Sequence, residues 1–240
     1  MLDNYKNEDI LFIDIETVSQ YPTFANLPKK MRELWKDKMK YFIETNNETA
    51  SELYEKAGIY AEFGKIICIS AGIFYTENNV QKFKVKSFYG HDESHLLLDF
   101  CAMLDKFSRA GEKYLCAHNG KEFDFPFIAR RCLINGIKLP KMLDIAGKKP
   151  WEINHLDTME LWKFGDYKHF TSLNLLTSIF HIPSPKDDIS GSDVARVFWL
   201  DNDLPRIVDY CQKDVLAVAQ LFLRYKGEEL IQSANICFTD

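Results

Sequence analysis

Short apolar runs near the start of the chain alternate with polar turns in the manner of β-strands. Ile10–Glu16 is a β-branched apolar run, which predicts a buried strand. Lys65–Thr76 and Gln81–Tyr89 predict two more strands, joined as a hairpin around the Glu77–Asn79 turn. The second of these alternates apolar residues with lysines, which is typical of a strand with one solvent-facing side. This part of the chain therefore predicts the beginning of a sheet.

Helical periodicity accounts for most of the remaining chain. The predicted helices lie at about Pro28–Ile43, Thr49–Ala57, Asp92–Phe107, Pro126–Asn135, Ser172–Phe180 and from Pro205 onward. Further strands are expected at Lys113–Ala117 and His155–Thr158, and Ile182–Ser190 is expected to be a loop. Strands that come first, with helices between and after them, favour an α/β fold with a mixed five-stranded sheet flanked by helices. At 240 residues, we expect one domain, residues 1–240, with a helical insertion at about residues 25–60.

The composition limits the classes of protein that fit. With 46% hydrophobic residues the chain can bury a core, and no apolar run approaches the roughly 20 residues of a membrane span. Its six cysteines form no Cys-x-x-Cys pair and lie mostly in apolar segments, so we expect a reduced, cytoplasmic protein without a structural zinc site. The net charge of −5 argues against a protein that coats nucleic acid, but not against an enzyme that binds a few nucleotides.

Two carboxylates end the first predicted strand. Asp14 and Glu16 are separated by one residue, so they would point to the same side of the strand, about 7 Å apart. Ionised groups at the end of an apolar strand carry a desolvation cost unless a cation meets them. A metal site is one interpretation, and a solubilising strand end or the start of a turn is an equally weighted alternative.

A second polar segment precedes a predicted helix. Asn119-Gly120 has the chemistry of a turn, and Pro126 suits the first turn of a helix. Asp124 would then lie just ahead of the helix N-terminus, where the helix dipole favours an ionised carboxylate. A plain capping aspartate would explain Asp124, but not Asn119 and Phe123 at their spacings.

A third pair lies on the last long helix. Tyr210 and Asp214 are one turn apart on one face, beside the apolar stripe that would face the core. The pair would be able to line a cleft, although a surface tyrosine–aspartate pair on an amphipathic helix is the more common arrangement for such a segment alone.

Together, the three segments resemble the exonuclease motifs I, II and III of the DEDD superfamily. Asp-x-Glu at a strand end, Asn-x-x-x-Phe-Asp before a helix and Tyr-x-x-x-Asp on a late helix resemble the tyrosine variety, DEDDy. FIDIET, AHNGKEFDFPFIARR and YCQKDVLAV look most like stand-alone bacterial proteins related to the exonuclease domain of family-B DNA polymerases. The resemblance extends from Ile10 to about Tyr225 and implies a ribonuclease H-like fold. His118 departs from the pattern, because polymerase domains often have tyrosine there.

The resemblance also implies an activity. Four carboxylates would hold two Mg²⁺ or Mn²⁺ ions, since oxygen ligands suit hard cations. These carboxylates belong to Asp14, Glu16, Asp124 and Asp214. Tyr210 would orient the attacking water, while Thr17, Asn119 and Phe123 would position the terminal nucleotide. The expected reaction is 3′→5′ release of nucleoside 5′-monophosphates from single-stranded DNA ends, with no membrane and no obligate protein partner.

Two rival functions stay open at this point. One is a 3′→5′ exoribonuclease with the same site, because discrimination between DNA and RNA depends on contacts around the 2′ position, which the motifs do not specify. The other is a nucleic-acid-binding module that has kept the fold without catalysis. The complete set of acidic residues and tyrosine argues against the second.

Two further features have ordinary explanations. The segment Lys29–Lys40 carries six cations and two anions around a tryptophan, a composition that can follow the backbone of a single strand. A solvated helix with Met31, Leu34 and Phe42 packed inward is favoured, although we hypothesise that the insertion overhangs the substrate path. Asp157 is expected to terminate a strand more than to support the site.

Overall fold

Six strands form one mixed sheet in a computed structural model, which describes residues 2–166, 170–183 and 189–239. In chain order they are β1 (Ile10–Ser19), β2 (Gly64–Glu77), β3 (Val80–Tyr89), β4 (Tyr114–Ala117), β5 (Leu156–Asp157) and β6 (Ile236–Thr239). The order across the sheet is β5-β4-β1-β2-β3-β6. β1, β2 and β3 pair antiparallel, whereas the β1–β4, β4–β5 and β3–β6 pairs are parallel. The predicted α/β class with a mixed sheet is confirmed.

The expectation of five strands was wrong, because the sixth strand lies where the sequence predicted only helices. β6 has four residues and pairs with Phe83–Lys86 at the outer edge of β3. A segment this short has too few positions to express a period of two. Its hydrogen bonds come from an edge that exists only in the folded sheet, so local periodicity does not reveal it.

Helices cover both faces of the sheet. The α-helices are α1 (Lys29–Asn46), α2 (Ala50–Leu53), α3 (Glu93–Phe107), α4 (Asp124–Ile134), α5 (Thr158–Lys163), α6 (Leu173–Ile179), α7 (Val194–Arg196) and α8 (Leu204–Lys226). A π-helical turn lies at Val197–Asp201. Short 3₁₀ turns lie at Asn7–Asp9, Phe24–Asn26, Tyr54–Ile59, Pro150–Glu152 and Ser233–Asn235. Among the described helices, none has the length and apolarity needed to span a bilayer. The predicted loop at Ile182–Ser190 lies partly outside the described residues, since 184–188 fall in a gap.

Local chemistry explains several of these elements. The β2–β3 hairpin turns through Asn78 and Asn79, both with positive φ (53° and 61°), as a two-residue hairpin requires. The Thr49–Glu52 capping box forms as expected, with the Thr49 hydroxyl accepting from the Glu52 N–H. The helix expected to begin at Pro126 instead begins two residues earlier, at Asp124.

The two faces of β1 are buried by different helices. The odd-numbered residues 11 to 15 pack in a cluster with α3 and α4, whereas Ile10 and Phe12 pack with the apolar stripe of α8. Because strand side chains alternate, Asp14 and Glu16 continue the face that α8 covers. The predicted stripe on α8 is fully buried at Ile207, Cys211, Val215, Val218 and Phe222. The sheet therefore brings the end of β1 beneath the middle of α8.

The segment between β1 and β2 forms a helical unit with its own aromatic core. Trp35 is fully buried against Tyr54 and Phe63, at ring-centroid distances of 5.4 and 4.9 Å. Leu34 and Phe42, which were expected to pack inward, are instead exposed. Contacts with aromatic rings that lie far along the chain therefore determine which side chains of α1 are buried in this small core. The cationic side chains of α1 lie outside it.

Candidate active site

The acidic pair of β1 lies where the strand changes register. Asp14 pairs with Ser70 and Glu16 with Cys68 of β2, and a bulge follows between Glu16 and Thr17. Asp14 is half-buried, and Glu16 is buried, with 8% of its surface exposed. The bulge ends the regular pairing directly after the two carboxylates, so both remain on the face beneath α8.

A tight turn after β4 delivers the second acidic residue. Asn119 adopts a left-handed conformation (φ 64°), and a Cβ on Gly120 would lie 2.4 Å from the Cβ of Ala117, so the turn requires glycine at 120. α4 then begins at Asp124, which is 4% exposed. The Asp124 carboxylate accepts hydrogen bonds from its own N–H and from the N–H of Ile15. That second bond joins the start of α4 directly to β1 between Asp14 and Glu16.

The third pair reaches the site from α8. Tyr210 and Asp214 are half-buried on the shoulder of the apolar stripe, as their spacing predicts. The Tyr210 hydroxyl donates a hydrogen bond to the Asp214 carboxylate. A cleft of about 380 Å³ borders Tyr210, and Arg206 and Lys213 also line it. Asp203 and Asp209 line the same cleft, so the tyrosine lies between the acidic cluster and an open cleft that carries charges of both signs.

The electrostatics indicate that these carboxylates converge. Burial, then the charges of Glu16, Asp214 and Asp124, raises the pKa of Asp14 well above its usual range. The pKa of Glu16 is raised in the same way by burial and then by the charge of Asp214. Burial raises the pKa of Asp124 to about 7, despite the two N–H groups that donate to it. The charges of the four carboxylates therefore act on one another, so full ionisation is unfavourable without a cation. Asp14 and Glu16 bring ligand atoms within 4.8 Å of each other, whereas Asp124 and Asp214 act from farther away.

Tyr210 is held in its protonated form. Burial and the neighbouring charges of Asp214, Glu16 and Asp14 raise the pKa of its hydroxyl above its ordinary value. A phenol in this setting donates a hydrogen bond and is a poor base.

The three residues expected to contact a nucleotide differ in exposure and in whether their polar groups already have hydrogen-bond partners. The Thr17 hydroxyl donates to the carbonyl oxygen of Gly58 at 2.9 Å, so it ties the insertion to β1. The Phe123 ring is partly exposed and packs on Phe127 with centroids 5.4 Å apart. Asn119 has a buried side-chain oxygen with no hydrogen-bond partner among the described residues. Of the three, Asn119 retains an unused acceptor, while Thr17 already has a structural partner.

Two polar residues support the Asn119 turn. Asp157 is 2% exposed, and its carboxylate accepts from the N–H groups of Asn119 and Lys121 at 3.0 and 3.1 Å. The His118 Nε2–H donates to the carbonyl of Thr171 at 2.9 Å, which leaves Nδ1 to accept from the Thr158 hydroxyl. Burial lowers the pKa of His118, which favours this neutral form. Asp157 both terminates its strand, as expected, and shapes the turn, a role its sequence position alone does not reveal.

One residue of the cluster was not anticipated from the sequence. Cys211 is fully buried, and its thiol donates to the Asp14 carboxylate at 3.3 Å. The sequence marked Cys211 only as an apolar position of α8. Its place directly after Tyr210, three residues before Asp214, is the signal that would have found it, since positions three apart are neighbours on a helix.

The donor set fits divalent cations. Glu16 is buried and accepts no hydrogen bond within the described parts of the chain, so its charge lacks compensation from the protein. Carboxylate oxygens suit Mg²⁺ and Mn²⁺, and cations would lower the repulsion among the four groups. Asp14, Glu16, Asp124 and Asp214 are the residues that would hold them.

Comparison with known proteins gives one family match. Residues 59–232, more than half of the 240-residue chain, match the family described as "Predicted 3'-5' exonuclease related to the exonuclease domain of PolB". The matched range contains Asp124, Tyr210 and Asp214. It begins at residue 59, so Asp14 and Glu16 lie outside it.

The fold also has a solved counterpart. The family B DNA polymerase from the hyperthermophilic archaeon Pyrobaculum calidifontis superimposes with a TM-score of 0.53 at 12% sequence identity. The superposition covers 90% of this chain and 24% of the polymerase chain. At this identity the likeness establishes the fold, which is the ribonuclease H-like fold of the polymerase exonuclease domain.

Proposed function

Since this chain belongs to the family of predicted 3′-5′ exonucleases related to the exonuclease domain of PolB, we propose that it removes nucleotides from single-stranded DNA 3′ ends by metal-dependent hydrolysis. The products would be nucleoside 5′-monophosphates. The observation that supports this best is the set of four carboxylates on β1, α4 and α8, in which burial and the neighbouring carboxylate charges raise the pKa of Asp14, Glu16 and Asp124.

In this proposal, the carboxylates bind the metal ions, and the remaining residues of the site orient the water and the nucleotide. Two divalent cations, when bound, would activate a water molecule and stabilise the charge on the leaving 3′ oxygen. Asp14, Glu16, Asp124 and Asp214 would hold these ions, which explains why acidic side chains from three segments of the chain face one region.

Tyr210 would orient the attacking water. Its hydroxyl donates to Asp214, and the raised pKa keeps it protonated, so it acts as a hydrogen-bond donor and acceptor beside the scissile bond. Removal of the hydroxyl in Tyr210→Phe should therefore lower kcat without changing the pH dependence of the reaction.

The terminal nucleotide would meet the Asn119 turn. The Asn119 side chain, whose oxygen is buried and has no partner among the described residues, would turn outward to accept a hydrogen bond from the sugar or base. The Phe123 ring would pack against one face of that group. Arg206 and Lys213, in the cleft beside Tyr210, would meet the phosphates of the strand.

The test is digestion of a 5′-labelled single-stranded oligonucleotide with Mg²⁺ or Mn²⁺. We expect a ladder of products shortened from the 3′ end, lost with chelator. Asp14→Asn and Asp214→Asn should each lower the rate about 100-fold or more, because even outer-shell partners of metal sites contribute about 10–100-fold. Asp105→Asn, an exposed residue of α3, is the matched control and should retain activity. Undiminished digestion by Asp14→Asn would reject the proposed site.

The choice between DNA and RNA needs its own comparison. Labelled DNA and RNA of one sequence should be digested side by side, with faster release from DNA expected. A faster rate on RNA would replace the proposal with the exoribonuclease alternative, while the absence of digestion of either would favour a binding module.

A further inference from the structure

A thiol lies within the acidic cluster. Cys211 Sγ is 3.3 Å from Asp14 Oδ2 and 3.5 Å from the Asp14 carbonyl oxygen. Ligand atoms of Asp14, Glu16 and Cys211 all lie within 4.8 Å of one another. Three side chains of this kind at such separations are able to meet a single ion.

The distances suit a small ion with mixed oxygen and sulfur ligands. Zn²⁺ is bound at about 2.3 Å by sulfur and about 2.0–2.2 Å by carboxylate oxygen, so the sulfur and oxygen atoms of a tetrahedral site are separated by about 3.5 Å. The observed separation of 3.3 Å between Cys211 Sγ and Asp14 Oδ2 is close to this value.

Glu16 provides an independent indication that a cation belongs here. Its side chain is 92% buried, since 8% of its surface is exposed, and its carboxylate accepts no hydrogen bond from the described residues. The neighbouring Ile15 N–H donates to the Asp124 carboxylate, but no described group donates a hydrogen bond to the Glu16 carboxylate. A buried carboxyl group of this kind either stays protonated or ionises beside a positive charge, and a bound cation would supply that charge.

We propose that Asp14, Glu16 and Cys211 form a site for one thiophilic divalent cation of the Zn²⁺ class, which competes with the hard cation of the reaction. The competition rests on the function proposed above; the site itself rests on the three ligands. Binding would release the thiol proton to solvent, because the thiolate is the ligand. Thiolate favours Zn²⁺ over Mg²⁺, so a low concentration of the soft ion would displace the hard one and stop hydrolysis.

Co²⁺ gives a direct readout of sulfur ligation, because a cobalt–thiolate bond produces a near-ultraviolet charge-transfer band. All proteins should carry Cys237→Ser, which removes the exposed cysteine as a competing ligand. We expect the band to appear on titration of this protein with Co²⁺ and to be lost in Cys211→Ser. In Cys132→Ser, the matched buried control on the α3 and α4 side of the sheet, the band should persist.

Affinity provides the second measurement. Calorimetric titration with Zn²⁺ should give at least about tenfold weaker binding to Cys211→Ser than to the parent protein, because the variant lacks the soft sulfur ligand that Zn²⁺ prefers. The Mg²⁺ affinity should change less, because Mg²⁺ prefers oxygen ligands. Circular dichroism establishes that each variant is folded. Absence of the cobalt band from the parent protein, or its persistence in Cys211→Ser, would overturn the site.

The two proposals fail in different ways. If the parent protein shows the cobalt band but no Mg²⁺-dependent digestion, the thiophilic site stands and the nuclease function fails. If it digests DNA with Mg²⁺ and shows neither the band nor inhibition by Zn²⁺, the nuclease function stands and this inference fails.

Discussion

One carboxylate organises the backbone beside the acidic cluster. Asp157 accepts N–H hydrogen bonds from Asn119 and Lys121, and also from Met159 and Glu160 at the start of α5, at 2.9 and 3.3 Å. It therefore joins the turn that carries Asn119 to the first turn of the following helix. Its contribution is to the geometry of the site, since it binds backbone groups only.

Replacement of Asp157 by alanine should be costly. Buried N–H groups would lose a charged acceptor, so we expect the free energy of unfolding to fall by about 3 kcal/mol, measured by urea denaturation. Asp92→Ala removes an exposed helix cap that accepts from the His95 N–H and should cost about 1 kcal/mol. Equal losses for the two variants would contradict the bridging role of Asp157.

His155 should make the protein sensitive to acid. Its Nδ1 accepts from the Leu115 N–H at 3.4 Å and its Nε2–H donates to the Met142 carbonyl at 2.7 Å, so both nitrogens are used in the neutral ring. Burial, aided by the charges of Lys121 and Lys148, lowers its pKa. Because the unfolded chain takes up this proton near pH 6.5 and the folded chain does not, stability is lost as pH falls below about 6.5.

The comparison is between the wild type and His155→Gln. Below about pH 6.5 the free energy of unfolding of the wild type should fall more steeply, by up to about 1.4 kcal/mol per pH unit. The acidic cluster without metal acts in the opposite direction, since its raised pKa values favour the folded state in acid, but it is common to both proteins. Parallel pH profiles would show that His155 is not responsible.

At the scale of elements, the helical unit between β1 and β2 contacts β1 directly beyond the acidic pair. A Cβ on Gly58 would lie 3.2 Å from the Cα of Val18 and 3.3 Å from the carbonyl oxygen of Thr17, both backbone atoms. The Thr17 hydroxyl bonds the Gly58 carbonyl at the same place. This contact fixes the distance between the helical unit and the strand that carries Asp14 and Glu16.

Gly58→Ala should therefore disturb the end of β1. Since backbone atoms cannot yield as a flexible side chain does, we expect a loss of about 1–3 kcal/mol in the free energy of unfolding, together with weaker metal binding. Gly191→Ala is the control, because a Cβ there meets no atom within 4 Å. If Gly58→Ala matches that control in urea denaturation and in calorimetric metal titration, the contact is looser than described.

Prediction from sequence succeeded for elements whose signals are local. The hairpin turn through Asn78 and Asn79 and the Thr49 cap depend on residues within a few positions, so their chemistry was sufficient. The inward face of α1 was misjudged because Trp35 is buried by Tyr54 and Phe63, which lie far along the chain. β6 was missed for the same reason, as its partner is β3.

At the scale of the whole molecule, convergence of the acidic residues depends on the sheet order. Strand alternation predicted that Asp14 and Glu16 share a face, and helix periodicity placed Tyr210 beside Asp214. Neither could show that α8 crosses that face of β1, nor that Asp124 is bound by the Ile15 N–H. The family resemblance implied the grouping, and the thiol of Cys211 was identified only from the folded arrangement.

Cations should stabilise the whole protein. Because Mg²⁺ or Mn²⁺ would bind only the assembled cluster, addition to chelator-treated protein should raise the melting temperature, with about 2.7 kcal/mol expected at 100 times the dissociation constant. Asp14→Asn should melt higher than wild type without metal, since one buried charge is removed, and should respond weakly to metal. Asp37→Asn, an exposed change on α1, should behave as wild type. A wild-type melting temperature unaffected by either ion would contradict cation binding.

The contact between Asp14 and Cys211 joins positions 197 residues apart. Closing so long a loop carries an entropy cost that must be met before the contact stabilises the chain, and pairing of sequence-distant segments slows folding. During synthesis, a nascent chain that has reached β5 already contains Asp14, Glu16 and Asp124, yet it lacks the helix that completes the group. Catalytic competence should accordingly arise only when α8 docks, so partly made or partly refolded chains would be harmless to nearby nucleic acid.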